Sequence, residues 1–118
     1  MKIRDDHTIL STFRMLIAAD KQIDALKILR SVALQVRDEP DCLSCSISRD
    51  AENTDVLTYQ EYWRSEESLS KHICSREYRN LLLVMEMSLE KPEVRYDTVS
   101  CSTGIETIAK IRSVSPKP

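Results

Sequence analysis

One glycine in 118 residues, Gly104, narrows what this chain can build more than any other feature. Phosphate-cradling turns of the GxGxxG type, or GxxxxGK followed by Ser or Thr, need at least two glycines, because the backbone must approach a phosphate with no Cβ in the way. A Rossmann dinucleotide site and a P-loop are therefore excluded. The 17 Lys and Arg against 19 Asp and Glu give a net charge of −2, without the basic excess of a nucleic-acid binder. At 13.6 kDa and 42% hydrophobic residues, the chain reads as one globular domain that buries about two-thirds of its unfolded surface. No apolar run approaches the ~20 residues of a membrane span. Residues 1–7 are too polar for a signal peptide. Four cysteines without an evident framework then suggest reduced thiols and the cytoplasm.

Hydrophobic periodicity predicts the elements. Residues 8–17 read as a strand with apolar residues on both parities. Asp20 is the expected N-cap of a helix to residue 38, with Ile23, Leu26, Leu29, Ala33 and Val36 as its stripe, flanked by Ile28 and Val32. Pro40 ends it. Residues 43–49 alternate Leu43, Cys45 and Ile47 against serines, and a polar turn over 50–55 leads to a strand over 56–63, so a hairpin is expected. Ser65 is an N-cap with Glu66 and Glu67 suited to the positive helix end. Ser75 is the expected cap of a second helical segment over 76–89, with Tyr78, Leu81, Leu82, Met85 and Leu89 buried. A last strand covers 94–101, a short amphipathic helix 105–111, and 113–118 fray. The order βαββαβ is the ferredoxin-like arrangement: an α+β protomer whose helices cover one face of a four-stranded antiparallel sheet. The core spans about residues 8–101. The opposite face is not purely polar, so a second copy is expected to cover it, sheet against sheet.

The densest group of chemically able residues is Tyr59, Glu61, Trp63 and His72. The first three share one strand face at period two. Their parity with Leu57 turns that face toward the helices. His72 borders the apolar side of its helix, three residues from Leu69. A pocket there would hold aromatic surface, a carboxylate and an imidazole: Trp63 and Tyr59 to stack a planar ligand, His72 to move a proton, Glu61 to orient it. Leu69 and Tyr78, on the apolar stripes of the two helical segments, complete the expected lining. The same four residues also read as core plus one satisfied histidine, and spacing leaves both readings open. Cys42-Leu43-Ser44-Cys45 is a CxxC without the second pair a zinc site needs, and in a regular strand its side chains face opposite ways. No metal site is expected.

Asp38-Glu39-Pro40-Asp41-Cys42-Leu43 resembles an E-P-G-C turn into a strand, and residues 61–72, from Glu61-Tyr62-Trp63 to Leu69-Ser70-Lys71-His72, are similar to the E-x-W-x-s-x-e-a-L-x-x-H signature of the antibiotic biosynthesis monooxygenase family. The resemblance covers about residues 9–99. It implies a dimeric α+β barrel and a cofactor-free monooxygenase whose substrate, a quinol or related hydroxylated aromatic molecule, supplies the electrons. Trp63, His72 and Glu61 stand at the family's tryptophan, histidine and strand glutamate. Asp41 replaces the usual turn glycine. The asparagine and tyrosine of the polyketide-acting members are absent near Tyr59 and Leu69, which favours a quinol. The alternatives on the same fold are a non-catalytic small-molecule-binding dimer, an isomerase, or a haem-degrading enzyme with His72 as the axial ligand.

Overall fold

Along the first strand, β1 (Thr8–Leu16), every second side chain is buried: Ile9, Ser11, Phe13 and Met15. The other parity is half-buried or, at Arg14, exposed. That alternation fixes which face of the sheet meets the helices. The computed structural model describes residues 7–114. After β1 come α1 (Gln22–Arg37), β2 (Cys42–Arg49), β3 (Val56–Trp63), α2 (Glu66–Ile73), α3 (Tyr78–Glu86), β4 (Glu93–Val99) and α4 (Glu106–Val114). The four strands form one antiparallel sheet in the order β2-β3-β1-β4. The ferredoxin-like arrangement and the hairpin over 50–55 are as expected, and α4 is added at the end. Among the described residues no helix is long and apolar enough to cross a membrane.

Helices α1 and α3 pack on each other, α1 also on β2, and α2 lies over β1 and β3. Between this layer and the sheet sits one core, with Phe13, Met15, Leu29, Val36, Leu57, Tyr59, Trp63 and Leu81 among its members. Ser65 caps α2 as expected, but through a serine pair: its Oγ accepts from the Ser68 N–H at 3.2 Å, and the Ser68 Oγ accepts from the Ser65 N–H at 3.2 Å.

Several local expectations are corrected. Asp20 does not cap α1; it lies in a 3-10 turn, Ala19–Lys21, and no side chain caps the helix. Gln22 anchors the start instead, donating from Nε2 to the carbonyls of Ile17 at 3.1 Å and Thr54 at 2.6 Å. This rotates the helix so that Ala25, Leu29, Val32, Ala33 and Val36 are buried, and Ile23 is 77% exposed. Ser75 does not cap α3; its hydroxyl donates to the His72 carbonyl at 2.6 Å. Helix α3 ends at Glu86, before Leu89, because the next residues tie to β1: Leu89 N–H donates to the Leu16 carbonyl at 2.7 Å, and the Ser88 Oγ accepts from the Leu16 N–H at 3.0 Å. Leu82 and Leu89 are consequently exposed, and Val84 takes the buried place. Strand β4 ends at Val99 rather than 101. The expected fraying from 113 does not hold at 113–114, which are helical; residues 115–118, like 1–6 at the other end, lie outside the described residues.

The turn into β2 survives without glycine because no described residue needs a positive φ. Cys42 N–H closes it on the Glu39 carbonyl at 3.0 Å, and the Asp41 carbonyl accepts from the Arg64 N–H at 2.9 Å. A register shift then follows: Cys42 pairs with Trp63 and Ser44 with Tyr62, so Leu43 has no partner across the ladder and is exposed. The extra residue reverses parity. Cys42 and Cys45 therefore both pack against the core, contrary to the opposite faces expected of a regular strand.

Candidate functional site

Three side chains on β3 and α2 converge on one buried carboxylate. Glu61 lies on β3 between Tyr59 and Trp63, and all three are 1% exposed or less. Side chains two apart on a strand project to the same side, so the tyrosine and tryptophan reach the glutamate from either flank. Tyr59 Oη donates to Glu61 Oε2 at 2.6 Å, and Trp63 Nε1 donates to Glu61 Oε1 at 2.9 Å. From α2, His72 Nε2 lies 3.0 Å from Glu61 Oε2. Behind Tyr59, the Cys45 thiol donates to Tyr59 Oη at 3.3 Å.

Hydrogen-bond valence assigns the histidine tautomer. A carboxylate only accepts, and Glu61 receives donors from both neighbours on its own strand. His72 as the third donor gives an Nε2–H imidazole, whose Nδ1 then carries the free lone pair. An imidazolium would leave a buried N–H at Nδ1 with nothing to receive it, since Nδ1 has no hydrogen-bond partner. A buried carboxylate satisfied by three donors avoids most of the desolvation cost of an isolated charge.

The imidazole is held from its faces and edge. It stacks on Trp63 with ring centroids 4.7 Å apart and an interplanar angle of 29°. Tyr78, from α3, meets it edge-on at 5.3 Å. Tyr78 Oη lies 3.2 Å from Tyr96 Oη on β4, and Phe13 packs on Tyr59, Tyr78 and Tyr96. Burial, and then the Glu61 carboxylate, hold the Tyr59 hydroxyl far above its ordinary pKa, so it remains a donor. Burial, and then its bond to Tyr96, raise Tyr78. Burial also pushes the Cys45 thiol up, and carries Cys42 to about 11 with help from Cys45 and Glu61.

A surface cleft of about 320 Å³ opens beside this cluster, lined by Ile9, Glu66, Leu69, Ser70, Ile73, Tyr96 and Thr98. Leu69 and Ile73 flank His72 on α2, and Ile9 and Tyr96 come from the neighbouring strands. Tyr96 is 46% exposed, because the helical layer does not extend over β4. The structure thus brings Tyr59, Glu61, Trp63 and His72 into one network, sets Tyr78 against the histidine and places Leu69 in the cleft. One face of Trp63 is taken by His72 and Tyr59 is wholly enclosed, so neither ring is open to the cleft. Sequence reasoning missed Ser11, Cys45 and Tyr96 at the network, because each arrives by strand register. Among the described residues, no group of three His, Cys, Asp or Glu side chains is placed to hold a metal ion.

Solved structures share the fold. A conserved protein from Methanosarcina mazei superposes with a TM-score of 0.72 at 22% identity, covering 77% of this chain and 91% of that one. A Deinococcus radiodurans protein assigned as an antibiotic biosynthesis monooxygenase gives 0.74 at 14% identity, covering 82% and 97%. Rv0793 from Mycobacterium tuberculosis gives 0.68 at 19% identity, covering 83% and 98%. Among curated proteins, none matches this chain. The profile of the antibiotic biosynthesis monooxygenase family matches residues 8–82, which include β1 through α2, the whole Glu61 network and its bracing by Tyr78. By that match, the chain belongs to the antibiotic biosynthesis monooxygenase family.

Proposed function

We propose that the protein is a cofactor-independent monooxygenase acting on a quinol or related hydroxylated aromatic molecule. The observation that carries the reading is the oriented imidazole: His72 Nε2 is tied to Glu61, and its lone pair at Nδ1 is unengaged. A neutral imidazole backed by a carboxylate is a general base. The ring of the substrate lies in the cleft against Leu69 and Tyr78's neighbour Tyr96, and one hydroxyl reaches His72. Proton removal yields an electron-rich anion, which transfers electrons to O₂ and takes up one oxygen atom, the other leaving as water. Trp63 and Tyr59 serve by holding His72 and Glu61 rather than by stacking the ligand, and their burial keeps water from the network. The haem alternative fits less well: His72 Nε2 is tied to Glu61, and the imidazole is 2% exposed, enclosed by protein rather than open to a porphyrin.

The protein works as a homodimer joined through the open face of the sheet, in the reducing environment that free Cys42, Cys45, Cys74 and Cys101 suit. Oxygen uptake with a panel of naphthoquinols, without thiol reductant, tests the enzymatic reading. Uptake above autoxidation that falls by about 10²–10⁴ in His72→Ala supports it. Saturable binding of the same compounds with no uptake would make the protein a non-catalytic binder, and uptake unchanged by His72→Ala would remove the histidine from the chemistry.

A further inference from the structure

Strand β4 is an edge strand, and the helical layer stops short of it, so Tyr96 stands over the sheet 46% exposed. It lies opposite Ser11 in the β1–β4 register, on the face that carries the helices. There it forms part of the cleft wall with Ile9, Leu69 and Ile73. Its hydroxyl is also the outer end of a pair that reaches inward. Tyr96 Oη lies 3.2 Å from Tyr78 Oη, and Tyr78 is 7% exposed. Phe13 braces both rings edge-on, Tyr78 at 6.5 Å and Tyr96 at 6.3 Å between centroids.

Two hydroxyls carry two protons, and the bond between them uses one. Tyr78 Oη has Tyr96 Oη as its one hydrogen-bond partner among the described residues. If Tyr96 donated inward, the Tyr78 proton would be left unpaired inside the protein, at the desolvation cost of an unmade hydrogen bond. If Tyr78 donates outward, the remaining proton belongs to the exposed ring, where water or a ligand can take it. The second arrangement satisfies the buried group. Tyr96 therefore presents an O–H at the exposed end of the pair, held in place by Phe13 and polarised by the bond it receives. Ser70 and Thr98, the other hydroxyls of the cleft lining, have no ring to hold them. Glu66 is the one charged side chain of that lining. A carboxylate accepts and does not donate, so it leaves a ligand's acceptor oxygen to the hydroxyls and repels an anionic ligand.

We propose that the Tyr96 hydroxyl, backed by Tyr78, orients the ligand in the cleft by donating to a neutral acceptor oxygen, carbonyl or phenolic, on a ring seated against Ile9, Leu69 and Ile73. This rests on the reading of the cleft as the ring's seat, and not on the chemistry at His72. Tyr96 is then a binding residue, and Tyr78 a positioning residue that acts through it.

The test compares α-tetralone, a neutral ring with one carbonyl, with tetralin, the same ring system without it. Affinities are measured by equilibrium dialysis, and intermolecular NOEs to the methyl groups of Ile9, Leu69 and Ile73 locate the ring. The expected result is that both compounds give those NOEs and that α-tetralone binds about fivefold more tightly than tetralin. Tyr96→Phe keeps the wall and removes the donor, so it abolishes the preference and leaves tetralin's affinity unchanged. Under Tyr78→Phe, a preference at or below the native one supports outward donation. A preference that rises would mean that Tyr96 had been giving its proton to Tyr78, and overturns the proposal. Equal native affinities, or a preference that survives Tyr96→Phe, overturn it as well while leaving ring binding in the cleft intact. Failure of both compounds to bind, or binding without the three sets of NOEs, overturns the reading of the cleft together with this one.

Discussion

Glu61 is the residue that ties the buried network together. Its two oxygens face a tryptophan N–H, a tyrosine O–H and an imidazole N–H. Glu61→Gln keeps the shape but replaces one acceptor oxygen with two donors, so at least one donor pair must oppose. The expected outcome is a loss of about 1–3 kcal/mol in denaturant unfolding, together with loss of the fixed His72 tautomer in ¹⁵N spectra. An equally stable variant would show that water or repacking supplies the missing acceptor. The thiols offer a second measurement. Burial, with Cys45 and Glu61 adding to it, pushes the Cys42 thiol from its ordinary 9.0 up to about 11 in the folded chain. A raised acid pKa means the folded state keeps its proton longer. Its contribution to stability is present below pH 9 and is lost as pH rises through 11. Cys42 alkylation by iodoacetamide is therefore expected to rise with a midpoint near 11. A midpoint at 9 would place Cys42 in solvent. At this scale the sequence was most legible where period two applies within one strand: Tyr59, Glu61 and Trp63 follow from parity alone. Ser11, Cys45 and Tyr96 reach the network across strands, and no local pattern contains a register.

Elements set the precision with which those residues meet. Helix α2 is eight residues long and carries both Leu69 and His72, so its start matters more than its intrinsic propensity. Ser65→Ala removes the acceptor for the Ser68 N–H, and is expected to cost about 1 kcal/mol and a few degrees in thermal midpoint. Because the helix delivers the imidazole, broadened His72 resonances are expected at temperatures below the global melt. Sharp resonances up to the melt would show that the Trp63 stack and the Glu61 bond hold His72 without the cap. This cap was readable, since a serine before two glutamates has one common structural use. The bulge at Leu43 was not: it reverses the parity of Cys42 by inserting one residue, and in the sequence Leu43 simply continues the apolar alternation with Cys45 and Ile47. The rotation of α1 escaped for a similar reason. Ile23 scores as apolar in any pattern, and only the reach of Gln22 to the Ile17 and Thr54 carbonyls turns it outward.

Across the whole molecule, the helices cover one side of the sheet and leave the other open. An antiparallel sheet tolerates water on one face, so an open face alone implies nothing. Its composition is more telling. Leu10 sits on β1, an inner strand, opposite Tyr62 on β3 and Asp97 on β4, and Leu16 and Val99 are further apolar residues on its face. Helix α4 buries none of its own residues, and exposes Ile108 and Val114. Both surfaces were legible as amphipathic patterns, whereas what would cover them leaves no trace in one chain's periodicity. If the open face is the dimer interface, light scattering of the eluting protein gives twice 13.6 kDa. Leu10→Arg then places a charge at the centre of a desolvated patch. A stable interface of standard size buries about 1,600 Å², and an unpaired charge at its core weakens it by several kcal/mol, so the variant elutes as a folded monomer. A chain ending at residue 102 separates the two surfaces: if it remains dimeric, the sheet face suffices, and if it becomes monomeric while Leu10→Arg does not, α4 carries the association. Because the Glu61 network lies on the opposite side of the sheet from Leu10, the monomeric variant should keep the His72 resonances of the native chain. A shift in them would mean that the second copy reaches through the sheet to the site.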